Sequence, residues 1–187
     1  MADELRVAGL LIFVGATQFF ILMNISAFLY PGYSISQNYI SDLGVGPSAI
    51  IFNGSVVLLG LLGITASYLL LRVGVDRVFV LLLLLASVGA VGVGVFPENM
   101  GILHTISAFI AFLFGGIGAL YSYRVELTIF RYIWLILGLV SLVALVFFAS
   151  DNYMGLGVGG MERLIVYPVI IWLIGIASSM VNGAIRK

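Results

Sequence analysis

The sequence predicts an all-α integral membrane protein, a bundle of six transmembrane helices with both termini on the cytoplasmic side. Three observations carry that prediction. Of 187 residues, 63% are apolar and 9% charged, against about 45–50% and roughly 25% in a water-soluble domain, so lipid must be the solvent. The charges fall in seven short clusters separated by six long apolar runs. Seven of the eight basic residues lie in alternate clusters (Arg6, Arg72, Arg77, Arg124, Arg131, Arg186 and Lys187), while the eighth, Arg163, stands on the other side beside Glu162.

A helical span needs about 20 apolar residues. The runs cover about residues 5–29, 47–71, 78–96, 99–121, 128–150 and 161–185. They use nearly the whole chain, so residues 1–187 form one membrane domain with no room for a soluble one. The runs are continuous, whereas a lipid-facing barrel shows segments of about 10 residues with alternating polarity. The first run is too long for a signal-peptide core and has no small-x-small cleavage site before Tyr30, so it is expected to remain as a span. A long loop follows, residues 30–46, in which Ser34 or Ser36 can cap a short interfacial helix that stops at Gly44. Pro47 then suits the first turn of the second helix.

Turns at residues 72–77 and 124–127 are tight, and so is the connection around Pro97, which makes helices 3 and 4 an antiparallel hairpin. Helices 2, 3 and 4 carry small residues at helical spacing: Asn53/Gly60/Gly63/Ser67, Ala86/Ala90/Gly94 and Ser107/Ala111/Gly115/Gly118. In lipid such faces let backbones approach and should point inward. A second long loop, 151–160, precedes the sixth helix. Its Ser150-Asp-Asn-Tyr and Leu156-Gly-Val-Gly echo Ser36-Gln-Asn-Tyr and Leu43-Gly-Val-Gly of the first loop, either as an internal duplication or as convergent turn chemistry.

The side holding the termini sets seven cations against Asp3, Glu4, Asp76 and Glu126, while the other sets Asp42, Glu98, Asp151 and Glu162 against Arg163 alone. Short basic loops stay in the cytoplasm, so the three acidic loops are expected outside a cell membrane. No polybasic stretch suits nucleic acid. With no cysteine, disulfides, thiolate nucleophiles and Cys-ligated metal sites are excluded.

Chemistry is therefore sought on the acidic side. Asn24 lies six residues before Tyr30, Asn53 six after Pro47, and His104 six after Glu98, each about 9 Å below the outer helix ends. Polar groups facing lipid at that depth are costly, so the three are expected to share an interior. His104 is the only histidine and can serve as general acid or base; its plain alternative is a helix–helix hydrogen bond. Glu162 suits a helix N-terminus, whereas Arg163 in the first turn opposes the dipole by roughly 0.3–1 kcal/mol. Arg163 is expected to reach Asp42, Asp151 or Glu98, or to clamp an anionic ligand.

The candidate catalytic set is His104, Asp42 and Glu162; the candidate binding set is Arg163, Asn53, Asn24, Asp151 and Tyr39. No metal ligand is assigned, a mixed site of His104 with Asp42, Glu98 or Glu162 being a weak signal, and no cofactor can be named. Ser36 and Ser41 lie near these acids, but no Gly-x-Ser-x-Gly elbow marks a serine hydrolase.

The stretch Tyr33-Ser-Ile-Ser-Gln-Asn-Tyr-Ile-Ser-Asp-Leu-Gly, Asn53, Phe96-Pro before His104-Thr, and Gly160-Met-Glu-Arg resemble the prokaryotic membrane-protein family catalogued as domain of unknown function 998. The resemblance spans essentially the whole chain and implies a six-helix membrane fold with no assigned mechanism. Three function classes follow from the residues. One is hydrolysis or group transfer on a lipid or lipid-linked substrate at the outer leaflet. The second is a non-catalytic subunit that binds lipid or an anionic small molecule, senses or scaffolds, its oligomeric state left open by the sequence. The third is a channel or transporter, disfavoured because every charge sits at a boundary and none near the midplane.

Overall fold

The computed structural model describes residues 2–186; Met1 and Lys187, the last of the basic residues, lie outside them. Six helices run α1 Ala2–Leu29, α2 Ala49–Arg72, α3 Arg77–Val95, α4 Ile102–Val125, α5 Phe130–Ala149 and α6 Gly157–Val181. Each is long and apolar enough to cross a membrane. The described residues hold no strand beyond an isolated bridge between Glu126 and Ile185. The helix expected in the first long loop is a single 3-10 turn, Ser41–Gly44, which does stop at Gly44 but has no side-chain cap. Helix α4 starts later than the apolar run because a second 3-10 turn, Glu98–Met100, ends in Gly101 at φ +60°. Helix α6 starts earlier, at Gly157, because the glycine run is wound into the helix.

Sequence neighbours are also neighbours in space, and α1 packs on α6 to close the ring, with α4 touching α6 as well. More than half of α6's most apolar stretch is buried, 56% against 28% for α5; α6 is the inner wall and α5 an outer one. The small-residue faces of α2, α3 and α4 meet. A Cβ on Gly60 would lie 2.6 Å from the Ser87 carbonyl, and one on Gly94 would lie 2.6 Å from that of Asn53. Backbones this close supply in lipid the contact that hydrophobic burial supplies in water. Buried Ser67, Ser87, Ser107 and Ser122 on the same seams return their hydroxyls to carbonyls four residues earlier, at 2.7–2.9 Å, so they are satisfied internally.

The turns segregate into two ends. Arg72 bonds Glu4 at 3.1 Å, and Arg186 N–H donates to the Val125 carbonyl at 2.7 Å. Both chain ends and the α2–α3 and α4–α5 turns therefore share one end, the basic end. The 30–48 loop, the 96–101 turn and the 150–156 loop share the other, the loop end. The echo between the two long loops is not one of conformation: Leu43-Gly44 lies in a 3-10 turn, whereas Leu156-Gly157 opens helix α6.

Candidate functional site

A cavity of about 110 Å³ runs inside the bundle between α1, α2, α3, α4 and α6. Its walls are apolar (Phe19, Phe52, Ala90, Ala108, Phe112, Ile170), and it reaches Ser87 and Trp172. Trp172 is 15 residues into α6 (172 − 157), about 22 Å at 1.5 Å per residue, which is beyond the middle of a 30 Å bilayer core. Its loop end is polar and is built by Ser41, His104 and Glu162.

His104 is 8% exposed, on the first turn of α4, and its Nδ1 lies 2.8 Å from the Phe96 carbonyl. A carbonyl can only accept, so Nδ1 carries a proton, and in the neutral imidazole Nε2 keeps the lone pair. Nε2 has no partner among the described residues. His104 thus combines the two alternatives: one nitrogen is a structural tie to the α3–α4 turn, the other is a free base edge beside the cavity.

Glu162 is 5% exposed and accepts the Ile40 N–H. Arg163, 7% exposed, donates from Nη1 to the carbonyls of Ile35 (2.8 Å) and Gly159 (2.9 Å) and from Nη2 to the Tyr33 hydroxyl (2.8 Å), with the guanidinium 5.6 Å from the Tyr33 ring centroid. The expected carboxylate partner of Arg163 is thereby corrected: no ion pair from it to Asp42, Asp151 or Glu98 forms among the described residues. Its partners are one loop carbonyl, one α6 carbonyl and a phenol, because the loop folds back on α6 and turns the Ile35 C=O and the Tyr33 hydroxyl toward the guanidinium. Gly159 N–H adds a bond to the Ser36 carbonyl at 3.0 Å. A Cβ on Gly159 would fall 2.5 Å from the Ile35 carbonyl oxygen and closer still to that of Asn38. Gly159, Glu162 and Arg163 together lock the first loop over the bundle. Burial raises the Tyr33 pKa above 10, with the Arg163 hydrogen bond opposing.

Asp42 lies on that loop, held by Asn38 Nδ2 at 2.9 Å. Glu98 approaches Ser41 and Asp42 from the α3–α4 turn, and its pKa is raised, first by burial and then by the Asp42 charge. Glu162 in turn lies within electrostatic range of Glu98 and Asp42. Among the described residues no three acidic or histidine side chains are placed to hold one metal ion.

The expected convergence of Asn24, Asn53 and His104 does not occur. Asn24 is exposed on the outer face of α1, its Nδ2 folded back 2.7 Å onto the Phe20 carbonyl; neighbouring Met23 and Ser26 take the inner face. Asn53 is half-buried and supports the loop by donating to the Gly44 carbonyl at 2.8 Å, away from the cavity. Asp151 is exposed and takes the Tyr153 hydroxyl at 2.9 Å, which pushes the Tyr153 pKa up to about 12. Tyr39 packs edge-on against Phe148 at 5.9 Å and gives its carbonyl to Tyr33. These two brace the loops and do not border the cavity.

The model of the family described as a protein of unknown function, DUF998, matches residues 13–179, most of the chain. The chain belongs to the DUF998 family. The match runs from α1 into α6 and takes in the polar end of the cavity and all of its lining residues but Ile12. No curated protein and no solved structure matches the chain. Sequence reasoning about this DUF998 chain missed Tyr33, the main side-chain partner of Arg163. The signal available was an aromatic in a loop opposite an isolated arginine, a pairing that cation–π attraction favours.

Proposed function

We propose that the protein binds an amphiphilic lipid-like molecule inside its bundle, with the apolar chain in the cavity and the polar head at the end formed by His104, Glu162 and Ser41. The observation that supports this reading is the cavity itself: apolar walls reaching past mid-membrane with titratable groups at one end only. Most ligand sites share this composition, an apolar lining with a few placed polar groups. The charge asymmetry supports a loop end outside and termini in the cytoplasm of a cell membrane, and with that orientation the ligand enters from the outer leaflet. A reporter fused after Lys187 is expected to be active inside, with a tag inserted at Gly155 accessible outside.

Mass spectrometry of protein purified in mild detergent tests the binding. A lipid species is expected with wild type and lost with Ala108→Leu, which fills the cavity one helical turn below His104. Equal lipid content in both variants would remove the cavity from the reading.

A second reading, hydrolysis or group transfer on that ligand, is favoured by one observation: the free Nε2 of His104, positioned as a general base beside the cavity. Glu162 lines the same cavity end, and Asp42 adds its charge next to Ser41. A lipid product found in cells with wild type and absent with His104→Ala separates the enzyme from the binder.

A further inference from the structure

A second opening lies at the basic end, a cleft of about 760 Å³ that shares no lining residue with the cavity. Three arginines line it, each brought by a different segment: Arg77 from the first turn of α3, Arg124 from the last turn of α4 and Arg186 from the chain end. Backbone bonds tie that chain end down. Leu127 N–H donates to the Ala184 carbonyl at 3.0 Å and Arg186 N–H to the Val125 carbonyl at 2.7 Å, which fixes Arg186 beside the end of α4. Gathering like charges is unfavourable, and Arg77 in addition opposes the α3 dipole.

The acids of this end do not offset that cost. Asp76 is the one carboxylate among the residues lining the cleft. It already accepts the Val78 and Phe79 N–H groups at 2.9 and 3.2 Å and the Tyr121 hydroxyl at 3.1 Å. Glu126 is taken by Trp134 and Thr128, and Glu4 by Arg72. Among the described residues none of the three cleft arginines forms an ion pair. Buried Val75 and Val125 line the same cleft, and Leu71 at its edge is 52% exposed on the last turn of α2.

We propose that the cleft binds a phosphate head group, that of an anionic lipid in the facing leaflet. Phosphate oxygens accept from several planar guanidinium forks at once, and basic pockets between membrane helices take lipid phosphate heads. The volume lies in the range of ligand sites, about 300–1,000 Å³, and suits a whole head group better than a bare ion. Exposed Leu71 decides for a lipid over a soluble phosphate, because acyl chains can run down α2 while the phosphate stays among the arginines. The site stands apart from the cavity and from the ligand proposed for it.

The full chain in nonionic detergent is titrated with dioleoyl phosphatidic acid, dioleoyl phosphatidylglycerol and dioleoyl phosphatidylcholine, and bound lipid is counted by native mass spectrometry. Salt is held at about 0.15 M, which screens attraction beyond about 8 Å. Arg124→Gln with Arg186→Gln is compared with Arg72→Gln and Arg131→Gln, a pair that removes the same charge from the same end outside the cleft. Thermal unfolding checks that both double variants fold, and Arg77→Gln alone serves should the first not. The two anionic lipids are expected to bind wild type about tenfold or more tightly than phosphatidylcholine. They should lose about tenfold per cleft arginine, the usual weight of a charge-assisted hydrogen bond, and about threefold or less in the control pair. An equal loss in both variants, or no preference over phosphatidylcholine, would overturn the site. Glycerol 3-phosphate is the soluble arm and is expected not to displace the lipid. Full displacement by it would overturn the lipid as the source and leave a soluble phosphate in the cleft.

Discussion

Glu126 and Glu162 are carboxylates buried at opposite ends of one bundle, 2% and 5% exposed. At the basic end Glu126 accepts from Trp134 Nε1 at 3.1 Å and from Thr128 N–H at 3.0 Å, both partners within eight residues in sequence. No cavity borders it among those described around the bundle core. At the loop end Glu162 takes an N–H from Ile40, 122 residues away, and borders the cavity. Burial alone does not mark a functional carboxylate. Glu126 is saturated by its own turn and acts as a fastener, whereas Glu162 fastens with one oxygen and faces unfilled space beside other acids. The arginines follow the same division. Arg72, Arg124 and Arg131 at the basic end lie on Tyr68, Tyr121 and Tyr123, the first two exposed and the third half-buried, while Arg163 is buried under the loop.

The largest expected effect tests the lock. Gly159→Val drives a side chain into the loop carbonyls, and Arg163→Ala leaves those of Ile35 and Gly159 short of donors at about 1–3 kcal/mol per group. Thermal unfolding in detergent should fall most for Gly159→Val, then for Arg163→Ala, and less for Arg163→Lys, which can reach one carbonyl but not both sets. Near-wild-type stability of Arg163→Ala would mean that the loop is held elsewhere.

The middle effect sharpens the contrast between the two carboxylates. Glu126→Gln must present an amide N–H₂ to one of two donors and is expected to lose about 1–3 kcal/mol with ligand binding intact. Glu162→Gln keeps an acceptor for Ile40 and is expected to lose little stability but most of the bound lipid. Equal losses in both measurements at both positions would erase the difference.

The smallest effect concerns Glu98 and pH. Its folded pKa lies above the unfolded value through burial and the Asp42 charge, so the folded state holds the proton more tightly. Its stabilisation is present at pH below the ordinary carboxylate range and is lost as pH rises through the raised value. Glu98→Gln should flatten this profile, measured by thermal unfolding across pH. A wild-type profile that is already flat would show that Glu98 does not feel the burial and the Asp42 charge.

Much of this was legible in the sequence, for reasons specific to lipid. Apolar runs and charge clusters set six helices and their rough ends, and small-residue stripes named the inward faces of α2 to α4. Glu162 and Arg163 stood out as a pair where a cation does not belong, and the depth of His104 placed it beside the cavity. Depth says nothing about azimuth, however; the small residues of α1 that do face inward, Ala8, Gly9 and Ala16, were not used to set one, so Asn24 was placed inside although it faces out. The partners of Arg163 stayed hidden because two of them are backbone carbonyls, which every residue carries and no sequence pattern distinguishes.

The lock also has a consequence in time. Ribosomes deliver chain at about 5–20 residues per second, so the 122 residues between Ile40 and Glu162 take about 6–24 s to make at that pace. During that interval the first loop is already made, with its carbonyls served by water, and α1 to α5 have no inner wall. The roof of the cavity is completed by the last span to arrive. A chain interrupted before α6 therefore keeps five helices but neither a closed loop nor a chamber, and its open seam is the surface a membrane protease or chaperone would meet first.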